Sequence, residues 1–188
     1  MDARDDQDDV EKVLAGDISA FEQIVNRWQA PLINLAYRFC RDRSRAEDMA
    51  QEAFLRVYRG LKGWRRDSAF STWIFAIAMN FYRSELRRLP ERARLSQSLE
   101  VLENIAAQST DSTNADRDRA VRRAVSALPA KYKEALVLFY FHEMDVSAAA
   151  KSLGLPEGTV KARLSRGRKI LREKLPQFLG EFRLEEAQ

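Results

Sequence analysis

The chain of 188 residues is poor in the side chains that metal and redox chemistry draws on. It holds one cysteine, Cys40, and one histidine, His142. A single thiol excludes an intrachain disulfide. One imidazole and one thiolate cannot complete a zinc site. Cys40 lies in an apolar helical pattern and reads as a small buried hydrophobe. Glycine is limited to seven residues and proline to five, and no Gly-rich phosphate loop occurs. Alternating strand patterns are missing. No apolar run approaches the roughly 18 residues of a membrane span, and no leader-like apolar stretch opens the chain. These absences predict an all-α, cytoplasmic chain in a reducing compartment. It is expected to use no cofactor or metal and not to be a membrane protein.

What is present is a chain able to build a core, with 45% hydrophobic and 32% charged residues. Net charge is only +4, but it is unevenly spread. Residues 2–11 are acidic (Asp2, Asp5, Asp6, Asp8, Asp9, Glu11), whereas residues 157–174 are basic. Such asymmetry points to a polyanion held by the basic part. Residues 1–9 read as a disordered, solvated tail, with screening of the basic surfaces as the other reading.

A short helix is expected over Val10–Leu14. A second, capped by Asp17 or Ser19, is expected to end near Gln29. Pro31 suits the first position of a third helix, which carries Leu32, Leu35, Ala36 and Phe39. Ser44 and Glu47 form a capping-box pattern ahead of a helix over about 45–60. Its inner face is Ala46, Met49, Ala50, Ala53, Phe54, Val57 and Leu61. Its outer face is Asp48, Gln51, Glu52, Leu55 and Arg59. Leu55 projects from a polar rim. Single exposed leucines are common, yet an apolar centre with a polar rim is also what a docking helix presents.

Gly60 and Gly63 then break the helix, and the stretch from Trp64 to Arg88 organises the first half. Its loop, Trp64-Arg65-Arg66-Asp67-Ser68-Ala69-Phe70, combines aromatics and arginines with an Asp/Ser N-cap signal. The helix that follows has apolar stripes on two sides: Ile74, Ile77, Ala78 and Phe81, then Phe75, Met79, Tyr82 and Leu86. A helix of that kind is clamped between neighbours. Its third face carries Trp73, Ala76, Asn80, Arg83 and Arg87. Guanidiniums suit phosphates, while aromatic planes and an amide suit unstacked bases. Loop and face together look like a surface for a single strand.

Ser, Thr, Gln, Asn and Asp dominate from residue 96 onward, so residues 91–116 read as a flexible linker with at most a short helix near Leu99–Ala107. A second helical domain follows over 117–179. In it, Asp145 can cap a short helix, Gly154 suits a left-handed turn, Leu155 plugs the turn, and Pro156-Glu157 open a helix to about Leu175. This is a helix-turn-helix pattern. The second helix buries Val160, Leu164, Gly167 and Leu171 and presents Lys161, Ala162, Ser165, Arg166, Lys169 and Arg172. Such a face fits the major groove, its first part at base edges and its later cations near phosphate. The expected fold class is therefore all-α, with two small helical domains (10–90 and 117–179) joined by a linker.

The segments AEDMAQEAFLRVYRGLKGW (46–64), DSAFSTWIFAIAMN (67–80) and LGLPEGTVKARLSRGRKILR (153–172) resemble the extracytoplasmic-function (ECF) sigma factors of bacterial RNA polymerase. The likeness covers roughly residues 10–175. It implies that Asp48, Gln51, Glu52 and Leu55 dock on the coiled coil of the polymerase β′ subunit. It implies that Arg56, Arg59, Trp64, Arg65, Arg66, Ser68, Phe70, Trp73, Asn80 and Arg83 engage the −10 region and hold a flipped base. Flipping costs a few kcal/mol, and stacking returns about 1–3 kcal/mol per base. It implies that Thr159, Lys161, Ala162, Ser165, Arg166 and Lys169 meet the −35 element, that residues 91–116 lie in the RNA-exit path, and that an anti-sigma partner restrains the factor. Departures occur at Glu143, Met144, Asp145 and Val146, where the family usually has Gly, Leu-Ser and an aromatic, and at Ala149, usually a larger aliphatic. They imply a less tightly packed first helix of the helix-turn-helix.

A stand-alone helix-turn-helix regulator is the competing reading. It would leave the Asp48 face and the Trp64–Phe70 loop without a role. An enzyme on nucleic acid would need a converging carboxylate cluster, and the sequence has no such pattern.

Overall fold

A computed structural model describes residues 3–88, 121, 123–125 and 127–185. The elements among them are helices: α1 (Ala3–Leu14), α2 (Ala20–Cys40), α3 (Arg43–Gly60), a 3-10 turn (Leu61–Gly63), α4 (Phe70–Arg88), α5 (Ala130–Phe141), α6 (Val146–Leu153) and α7 (Glu157–Glu185). Residues 121 and 123–125 are also helical. The expected linker and its short helix lie outside the described residues.

The helical periodicity of the sequence becomes packing in α3. Ala46, Met49, Ala50, Ala53, Phe54, Val57 and Leu61 are all buried, against Ile24, Trp28, Leu32 and Leu35 of α2 and Ile74, Ala78 and Phe81 of α4. Each fully buried large aliphatic contributes about 1.5–3 kcal/mol, so this seam dominates the first domain. Cys40 is fully buried, and burial pushes its thiol up.

Five local expectations differ from the fold. Residues 3–9 are not a solvated tail but belong to α1. Asp6 and Asp9 are buried there against Arg27, at 2.6 and 2.9 Å, and Trp28 Nε1 donates to Asp6 at 2.9 Å. Pro31 does not open a helix; it sits inside α2. Its ring removes one N–H, but Trp28 and Leu32 on either side are buried, and core packing outweighs the lost bond. The cap of α3 is Asp42, whose carboxylate accepts from Arg45 N at 2.9 Å, rather than Ser44. Helix α4 starts at Phe70, so Ala69 rather than Asp67 or Ser68 precedes it. At the other end, α7 runs past Leu175 and through Pro176 to Glu185.

The helix-turn-helix forms on its signals. Asp145 accepts from Ala148 N at 2.7 Å, Gly154 is left-handed at φ 64°, and Leu155 N closes on Ala150 O at 3.0 Å. Ala149 is fully buried, and Met144 is buried beside it with its sulfur 3.7 Å from Ser152 Oγ. The second apolar side of α4 packs on this unit. Phe75 lies against His142, ring centres 4.3 Å apart, and Ser152 Oγ donates to Thr72 O at 3.0 Å.

Candidate nucleic-acid interface

Three surfaces carry the residues singled out in the sequence. The first is the outer face of α3. Burial of its opposite face fixes the helix rotation and leaves Asp48, Gln51, Arg56 and Arg59 exposed and Glu52 half-buried. Leu55 is 49% exposed in the middle of this rim. Glu52 and Arg56 pair at 3.1 Å.

The second surface is the loop before α4 and the start of that helix. Its aromatics are not equivalent. Phe70 is 2% exposed, edge-on to Trp64 at 5.1 Å and tilted against Trp73 at 5.6 Å. Phe70 is thus the buried floor of the loop, not an open stacking platform: an apolar ring among Trp28, Trp64 and Trp73 gains more from the core than from water. Trp64 and Trp73 are half-buried, and Trp64 Nε1 donates to Ser68 O at 3.1 Å, which ties the loop closed. Arg65 and Arg66 are exposed, and Arg66 takes a left-handed conformation at φ 62°. That conformation is uncommon for a non-glycine residue. Asp67, Ser68, Thr72, Trp73 and Ala76, with Lys151 of α6, line an open cavity of about 300 Å³. Asn80 is exposed further along the same helix. Arg83 stands apart: it is half-buried and turned to Glu134 and to the Leu153 carbonyl, at 2.7 and 3.2 Å.

The third surface is the outer face of α7. Val160 and Leu164 are buried toward α5, and a buried Gly167 lets the two helices approach closely. The opposite face leaves Thr159, Lys161, Ala162, Ser165, Arg166 and Lys169 all exposed. Arg163 turns the other way, 3.6 Å from Glu134. A straight helix with small residues among cations can enter a major groove. Among the described residues, no group of three His, Cys, Asp or Glu side chains is placed to hold a metal. No described helix is long and apolar enough to cross a membrane.

Sequence reasoning missed three groups that touch these surfaces: Glu11, Glu134 and Lys151. Glu11 pairs with Arg66 at 2.7 Å, and Lys151 Nζ donates to Asp67 O at 3.3 Å. Each is distant in sequence from its partner, and no local spacing announces the contact.

Two family models match the chain, Sigma-70 region 2 over residues 24–91 and Sigma-70, region 4 over residues 118–171. The RNA polymerase sigma-H factor of Pseudomonas aeruginosa is 33% identical over 186 residues, covering 94% of this chain and 96% of that protein. The ECF RNA polymerase sigma factor SigW of Bacillus subtilis is 31% identical over 176 residues, covering 88% and 94%. The chain belongs to the ECF sigma factors. As such a sigma factor it binds RNA polymerase core, recognises promoter DNA and serves the start of transcription. The fold agrees. RpoE of Bartonella quintana, solved in complex with the anti-sigma factor NepR, superposes with a TM-score of 0.62 at 23% identity, over 85% of this chain and 98% of that one.

Proposed function

We propose that the three surfaces divide the work of this sigma factor. The α3 face, with Leu55 at its centre and Asp48, Gln51 and Glu52 around it, docks on the polymerase β′ coiled coil. The loop and start of α4 receive the non-template −10 strand: Trp64 and Trp73 offer ring faces, Phe70 supports them from below, Ser68 and Asn80 offer hydrogen bonds, and Arg56, Arg59, Arg65, Arg66 and Arg83 meet phosphates. The α7 face reads the −35 duplex, Thr159, Lys161, Ala162, Ser165 and Arg166 at base edges and Lys169 toward phosphate. The factor contributes positioning and DNA opening, with no catalytic chemistry of its own, and works in the cytoplasm where polymerase acts. An anti-sigma protein is its proposed regulator, by analogy with the RpoE–NepR complex.

The observation that carries this reading over a stand-alone DNA binder is Leu55, 49% exposed on a helix whose other side is closed core. A regulator that never meets polymerase has no use for that face. Co-elution of the full chain with purified core polymerase tests it. Leu55→Asp should abolish co-elution while circular dichroism and duplex binding stay unchanged. A folded Leu55→Asp protein that still co-elutes removes the docking assignment.

A further inference from the structure

The acidic start of the chain belongs to none of the three surfaces, yet it reaches one of them. Asp6 and Asp9 are buried against Arg27 at 2.6 and 2.9 Å, and Trp28 Nε1 donates to Asp6, so α1 is fixed on α2. Val10, next to Asp9, is buried as well. Glu11 then turns away from this seam and meets Nη2 of Arg66 at 2.7 Å, with side chains 50% and 48% exposed. Arg66 is the loop residue with φ 62°. In a non-glycine residue that conformation persists only where the surroundings hold it. Trp64 Nε1 on Ser68 O, at 3.1 Å, closes the loop around Arg66. The indole of Trp28, which donates to Asp6, also lies edge-on to Phe70 at the loop's far end, ring centres 6.3 Å apart. Lys151 reaches Asp67 O from the second domain at 3.3 Å, whereas Glu11 belongs to the loop's own domain. Arg65 is exposed and pairs with no carboxylate among the described residues.

We infer that Glu11 is a positioning residue for strand capture: carried on an anchored α1, it holds Arg66 in its left-handed conformation and so keeps the Trp64–Phe70 loop in the shape that receives the strand. The inference rests on the −10 reading of that loop. Glu11 engages Nη2, and a guanidinium has five N–H donors, so Arg66 keeps donors for a phosphate while Arg65 presents its own. A loop already in its bound shape loses less freedom on binding, and apparent affinity scales with the fraction of chains in the competent conformation. An ion pair between half-exposed side chains shifts such a fraction by up to about fivefold. The acidic segment thus has a use beyond its own packing: the buried Asp6 and Asp9 aim the helix, and Glu11 sets the loop. Repulsion of a phosphate by Glu11 acts in the opposite direction, so the sign of the effect separates positioning from competition.

The test uses the full chain bound to purified core polymerase, with Glu11→Ala as the variant. Alanine is the best helix former, and hydrogen exchange over residues 5–14 checks that α1 stays docked. A fluorescein-labelled random-sequence 12-mer single strand and a random 20-bp duplex are the probes. Glu11→Ala should bind the 12-mer about two- to fivefold more weakly and exchange faster over residues 64–69. Core and duplex affinities should stay at the wild-type values, which a general loss of folding would not allow. In an Arg66→Asn background, where the side chain tolerates the left-handed region, Glu11→Ala should change strand binding no further. If residues 5–14 lose protection, Glu11→Gln, which keeps the side-chain length, decides instead. Tighter strand binding makes Glu11 a competitor of phosphate and overturns the proposal. Unchanged strand binding overturns it too, whether or not the loop exchanges faster. Trp73→Ala and Arg65→Ala separate the two ideas: if they weaken strand binding and Glu11→Ala does not, only the positioning role fails, and if neither weakens it, the −10 reading fails as well.

Discussion

Arg27 serves two buried carboxylates at once, and its removal tests why an acidic segment folds at all. Asp6 and Asp9 have side chains 5% and 10% exposed and lie 2.6 and 2.9 Å from a guanidinium that is itself 20% exposed. Burial disfavours the charge on Arg27, but hydrogen bonds with Asp9 and Asp6 outweigh it and hold the guanidinium above its ordinary pKa. Arg27→Ala leaves both carboxylates without the cation. Breaking a buried pair by deleting one member costs about 3–5 kcal/mol. The chain has an escape, because both carboxylates lie on α1, which can undock and return them to water. The loss is then capped at what docking supplies beyond the pairs. Val10, 2% exposed, is the fully buried apolar residue of α1, worth about 1.5–3 kcal/mol. The expected result is that α1 detaches, with a local loss of about 2–3 kcal/mol, while α2, α3 and α4 stay folded. Hydrogen exchange read by mass spectrometry should show protection lost over residues 5–14 and kept over 24–36 and 46–57. Arg27→Lys, a point charge without the fork, should give an intermediate loss. Unchanged protection of α1 in Arg27→Ala would refute the idea that these ion pairs hold it. Because Glu11 meets Arg66 from the same helix, the variant should also release that arginine from its carboxylate.

The remaining predictions concern the second domain. A Cβ on Gly167 would sit 2.8 Å from Leu136 Cδ1 and 3.4 Å from Tyr132 Cβ. Gly167→Ala should gain about 1 kcal/mol of helix propensity and lose about 1–3 kcal/mol to overpacking. The net change is zero to about 2 kcal/mol of destabilisation in urea melts, and Gly167→Leu should be far worse. His142, half-buried against Phe75 with a buried Nε2 that has no hydrogen-bond partner, is held down at about 4 by burial and then by Arg38, below an ordinary 6.5. Its contribution is complete above pH 6.5 and is lost as pH falls toward 4, by at most about 3 kcal/mol. The difference in stability between wild type and His142→Phe, measured from pH 7 to 4.5, should shrink in that window. Lys169→Ala should weaken binding to all duplexes alike and lower the salt slope by about 0.9. Arg166→Ala should instead cost about 1–3 kcal/mol at one promoter position, seen by competition with single-base variants.

What could be read from the sequence was what repeats locally. The inner faces of α3 and α7, the Asp145 cap, the Gly154 turn and the two-sided burial of α4 all follow from spacing within one or two turns, and they stand as expected. What escaped was set by groups far apart in the chain. The acids of α1 resemble a tail until Arg27, about twenty positions later, is seen to neutralise them. Pro31 obeys a local rule that packing on both sides overrides. Phe70 has the right identity for a stacking platform but lies beneath two tryptophans. Arg83 sits correctly on its face of α4, yet nothing in its neighbourhood reveals Glu134 opposite. Charge and aromaticity mark a residue as able to meet nucleic acid; whether another part of the same chain already occupies it is decided by tertiary packing.

We propose that this chain gives core polymerase its promoter choice through separate −10 and −35 surfaces. The most direct measurement is transcription in vitro from a promoter library, with purified core alone, with core plus the factor, and with core plus the Lys161→Ala, Arg166→Ala double variant. Sequencing of the transcript starts should show a new set of starts that depends on the factor and shares two upstream elements. The double variant should keep core binding and the −10 preference while losing the −35 preference. If core alone and core plus folded factor start at the same positions, the chain does not set promoter choice.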